Sequence, residues 1–180
     1  DSDSNTTTLT GDITTTGERN FGTGYGANGI TIENSDSNNT TLIGNILTTG
    51  FTATGINLLS GSDFNTLTIT GNITTTESIA SGIHMFDSDS NTTTMTGNIT
   101  TTGNFAHGIQ LDSSDSNIVN MTGDILTSGE GAVAIQIESD SNTTTINGNI
   151  TTTGAGSRGI YVQDSDSNTT TLTGDITTTG

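Results

Sequence analysis

The stretch Asp1–Gly17, DSDSNTTTLTGDITTTG, returns letter for letter at Asp164–Gly180, and looser copies fill the space between. A glycine shared by all copies falls at Gly11, Gly44, Gly71, Gly97, Gly123, Gly148 and Gly174, in steps of 33, 27, 26, 26, 25 and 26 residues. A period of this length marks one supersecondary unit stacked on itself. Low apolar content (27%) and a net charge of −17 would otherwise suggest disorder. Here the apolar residues recur at fixed places, so they can share a core.

Thr supplies 43 of 180 residues, Pro is absent and 24 Gly are available for bends. β-Branched Thr suits strands. Alternation within Asn5–Thr10 puts Asn5, Thr7 and Leu9 on one face and Thr6, Thr8 and Thr10 on the other. The Leu9 column (Leu9, Leu42, Ile69, Met95, Met121, Ile146, Leu172) and the apolar Leu67 and Val119 in the Thr7 column identify the inner face. Gly11 allows a sharp bend, and a second strand follows with Ile13 and Thr15 inward. A third strand reads small–x–Gly–Ile–x–aliphatic, as in Ala53–Leu58, Ala80–Met85 and Ala106–Leu111. An SDSN turn closes the circuit.

This pattern predicts an all-β fold, a right-handed parallel β-helix. It has about seven coils of ~26 residues and three short strands per coil. Right-handed winding is expected because the strict hexapeptide rhythm of left-handed β-helices is missing. A single coil buries about four large aliphatics, too few to offset ordering some 26 residues, so stability must come from stacking. Residues 1–180 form one solenoid array, expected to be a segment of a longer one. Its partners are then neighbouring repeats, or further copies of the chain stacked end to end.

Asp3, Asp36, Asp63, Asp89, Asp115, Asp140 and Asp166 form an unbroken column. Like charges about 5 Å apart repel by roughly 0.8 kcal/mol in water and about 3 kcal/mol at an effective dielectric of 20. Local turn capping by Asp and Ser offers one compensation. Ca²⁺ held between coils offers another, and is the one cofactor to consider. The neighbouring Asp12 column alternates with Asn (Asn45, Asn72, Asn98, Asp124, Asn149, Asp175), so no charge is needed there. Asn5, Asn38, Asn65, Asn91, Asn117, Asn142 and Asn168 face inward as an asparagine ladder.

Catalysis is not expected. Lys and Cys are absent and the two Arg, Arg19 and Arg158, lie coils apart. His84 and His107 occupy different outward columns as lone substitutions, which places them at the surface. The acidic balance argues against nucleic acid, and no apolar run is long enough for membrane insertion. An insertion at residues 18–28 breaks the repeat and carries Arg19, Phe21 and Tyr25, a candidate ligand-binding loop for glycans.

Two resemblances follow. The outward Thr columns, interrupted by Ile43, Ile118, Asn120 and Asn147, resemble the ice-binding face of insect antifreeze β-helices. The segment Gly97–Ile109, GNITTTGNFAHGI, resembles repeats of bacterial autotransporter passenger domains and haemagglutinin-like adhesins. Comparable stretches occur at Gly44–Ile56, Gly71–Ile83 and Gly148–Ile160. That resemblance implies a right-handed β-helix exported to the bacterial surface, with a stalk or adhesive role and no fixed site residues. The expected function is a structural segment of a secreted surface protein, with a binding module as the alternative.

Overall fold

The computed structural model describes residues 4–17 and 26–180. Each circuit of the chain lays down three short strands, and each strand lies on its counterpart from the previous circuit. The first sheet holds seven parallel strands: β1 (Thr6–Thr10), β4 (Asn39–Ile43), β7 (Thr66–Thr70), β10 (Thr92–Thr96), β13 (Ile118–Thr122), β16 (Thr143–Asn147) and β19 (Thr169–Thr173). The second holds seven more: β2 (Ile13–Thr15), β5 (Ile46–Thr48), β8 (Ile73–Thr75), β11 (Ile99–Thr101), β14 (Ile125–Thr127), β17 (Ile150–Thr152) and β20 (Ile176–Thr178). The third has six: β3 (Ile30–Glu33), β6 (Ile56–Leu59), β9 (Ile83–Phe86), β12 (Ile109–Asp112), β15 (Val133–Glu138) and β18 (Arg158–Val162). The result is a β-solenoid of six circuits, with two strands of a seventh.

Register follows the sequence repeat without slippage. Leu9 pairs with Leu42, Leu42 with Ile69, and Ile69 with Met95. The longer first circuit therefore costs no register, because its extra residues fall between β2 and β3. The interior is a column of aliphatics: Leu42, Ile69, Met95 and Ile146 from the first sheet, Ile46, Ile73, Ile99 and Ile125 from the second, Ile56, Ile83, Ile109 and Ile135 from the third. Alternation holds strongly mid-stack, where β7 runs exposed, buried, exposed, buried, exposed. Parallel strands require every neighbour to present the same face, so one alternating pattern serves all circuits.

The first corner explains its invariant glycine. Gly44, Gly71, Gly97, Gly123, Gly148 and Gly174 all have φ between 140° and 159°. A Cβ on Gly71 would lie 2.0 Å from the carbonyl oxygen of Gly44 one coil below. Both conformation and proximity exclude any side chain. The SDSN corner uses a different device. Its third residue adopts the left-handed conformation in every circuit (Ser4, Ser37, Phe64, Ser90, Ser116, Ser141, Ser167; φ 57–62°).

Inner Thr of the second sheet are also accounted for. The hydroxyl of Thr101 donates to the carbonyl of Ala106 at 2.8 Å, and Thr48 and Thr75 make the same bond to Ala53 and Ala80. A buried hydroxyl thus ties the second strand to the turn that leads into the third.

Candidate functional site

Three hydrogen-bonded ladders run along the corners. In the inward ladder, each Asn backbone N–H donates to the side-chain oxygen of the Asn one coil above. The series runs from Asn5 to Asn38 and on to Asn168, at 2.8–3.0 Å. The Asn45 column runs the opposite way: each N–H donates to the side chain one coil below, at 2.7–3.0 Å. Asn and Asp alternate there because the ladder needs only an acceptor oxygen, which both supply.

The Asp column is the third ladder. Asp63, Asp89, Asp115, Asp140 and Asp166 each donate their backbone N–H to the carboxylate one coil below, at 2.6–2.8 Å. The capping is therefore between coils, not local to each turn. Like carboxylates stack because an N–H dipole sits between each pair, a charge-assisted arrangement. Asp3, like Arg19, Phe21 and Tyr25 of the insertion, lies outside the described residues. Among the described residues no group of three or more His, Asp or Glu gathers as metal ligands would.

The outward faces differ in kind. Those of the first and second sheets are mostly Thr. The third sheet carries the chain's less common side chains. Its outward columns hold His84, Gln110, Gln136 and Tyr161 in register, beside Phe86, Asp112 and Glu138. Arg158 stacks over the Tyr161 ring, 4.1 Å from its centroid. No family model, curated protein or solved structure matches the chain.

Neither histidine is fully exposed: His84 is half-buried and His107 is buried. His107 is 9% exposed, and its Nδ1 accepts the Val133 N–H at 2.9 Å. That acceptor role puts the neutral ring's proton on Nε2. Burial pushes the His107 pKa down to about 4, and neighbouring His84 adds to the shift. Burial also lowers the pKa of His84, opposed by Asp112. The His84 Nε2 is buried without a partner. Sequence reasoning missed this because outward was equated with exposed, whereas Ser81, His107 and Val133 in one outward column are all buried.

One open cleft lies on this face. It is lined by Leu59, Ile79, Ser81, His84, Phe86, Gln110 and Asp112. The His84 and Phe86 rings stand 6.2 Å apart at a tilt of 43°. Ser81 donates its hydroxyl to Gln110 Oε1 at 3.1 Å, which turns the Gln110 amide nitrogen away from it.

Proposed function

We propose that this chain is a non-catalytic structural segment, a stalk or fibre element, of a secreted bacterial surface protein or adhesin. The observation that carries this reading is the invariance of the stack: six circuits share one register and the same three corner ladders. Such a unit extends by repetition and sets a distance along one axis, at about 4.8 Å per coil. The resemblance of Gly97–Ile109 to autotransporter-passenger repeats supports an extracellular location. The excess of carboxylates agrees, since it keeps a long Thr-rich surface dissolved.

Side-chain chemistry agrees at His107, whose Nδ1 is occupied by a backbone N–H and offers no free base.

The test has two arms. Variants carrying one, two or three extra copies of residues 88–113 should lengthen by about 4.8 Å per copy in small-angle scattering. Antibody to the segment should label intact source cells. A length that fails to follow copy number, or labelling only after lysis, would overturn the proposal.

A further inference from the structure

The cleft on the third sheet is built from four outward side chains of two adjacent strands. His84 and Phe86 of β9 pair in register with Gln110 and Asp112 of β12. We infer that this cleft is a binding subsite for a neutral, hydroxyl-rich glycan.

Its polar groups are a donor and an acceptor two residues apart on one strand face. With Oε1 of Gln110 held by Ser81, the amide nitrogen has no protein partner among the described residues. The Asp112 carboxylate is half-buried and takes only a long 3.4 Å contact from the Ser113 hydroxyl. A donor beside an acceptor matches neighbouring sugar hydroxyls, each of which can play either role. Its apolar groups are Phe86, 42% exposed, and Ile79, 51% exposed. They offer the non-polar face that the C–H side of a sugar ring requires. Charge narrows the class further. Asp112 stands in a chain of net charge −17, so anionic sugars are repelled.

The next coil supplies an internal control. Gln136 and Glu138 sit in register above Gln110 and Asp112. There the Gln136 amide donates to Glu138 at 2.8 Å, so the pair is closed on itself. The extra methylene of Glu allows that reach. Asp112, one methylene shorter, makes no such bond to Gln110, whose Oε1 is held by Ser81, and the lower pair is left open to a ligand.

Asp112→Glu therefore keeps the charge while closing the subsite. Binding is measured by calorimetry on the whole chain. The probes are neutral cello-, manno- and galacto-hexaose, with oligogalacturonate as the anionic probe. At least one neutral oligomer should bind in the millimolar range or tighter, and more tightly than oligogalacturonate. D112E and F86T should each weaken it by about tenfold. E138D, which frees the Gln136 amide, should bind at least as tightly as the native chain. Circular dichroism confirms that each variant keeps its fold. No binding by any neutral oligomer would overturn the proposal. So would preference for the anionic probe, affinity unchanged in D112E, or weaker binding by E138D. The stalk reading makes no demand on this cleft and survives each of those results.

Discussion

Acidification should loosen the solenoid at one identifiable junction, between the coils of β12 and β15. His107 bridges them by accepting the Val133 N–H at Nδ1. Its pKa falls from an ordinary 6.5 to about 4 in the folded chain. The folded state thus binds its proton less readily than the unfolded one. For a group depressed in this direction, stability is complete above the unfolded value of 6.5. It is lost as pH falls from there to about 4. The difference corresponds to roughly 3 kcal/mol at the acid end. His84 shifts in the same direction and adds to the loss. Asp112 faces His84 and opposes it, and Arg158 lies one coil beyond Val133. His107→Asn retains an acceptor for the Val133 N–H and does not titrate. Urea unfolding of both chains at pH 7 and pH 4 isolates the imidazole, because the carboxylates and His84 are common to the two. The native chain should lose about 3 kcal/mol more than H107N over that interval. Amide exchange at Val133, corrected for intrinsic rate, should accelerate selectively in the native chain. Equal acid losses in the two proteins would refute the reasoning.

Other perturbations test the stack itself. The buried Thr93 hydroxyl has no partner, and Val119 occupies its register neighbour, so Thr93→Val should stabilise by about 1 kcal/mol in thermal melts. Thr101→Val removes the bond to the Ala106 carbonyl and should destabilise by about 1 kcal/mol or more in the same assay. Gly71→Ala puts a methyl group 2.0 Å from the Gly44 carbonyl oxygen at φ 147° and should cost more than about 3 kcal/mol, read as loss of cooperative unfolding. The Asp column is capped by backbone N–H groups from coil to coil, so excess EDTA should leave the melting temperature unchanged. A fall on chelation would assign the column to calcium.

How much of this was legible in the sequence depends on what each feature needs. The circuit, its three strands and its inward columns follow from periodicity, because stacked parallel strands force the same alternation on every repeat. The Asn ladder was legible for the same reason: an invariant amide on an apolar face has few other uses. The partner of each Asp was not. Sequence shows that Asp63 recurs with Asp36, but whether its acceptor serves its own turn or the next coil depends on strand direction and rise. The third sheet was least legible. Its outward columns look variable, and variability suggests solvent. Yet Ser81, His107 and Val133 are buried there, while Phe86 and Ile79 in the same region are exposed. An outward position in a solenoid is defined by the strand's pleat, and its exposure by the corners on either side. In the first and second sheets the repeat hides this distinction, because Thr tolerates both. Where the repeat lapses, the distinction shows: Gln136 bonds its strand neighbour Glu138, whereas Gln110, beside the shorter Asp112, bonds Ser81 of the coil below instead.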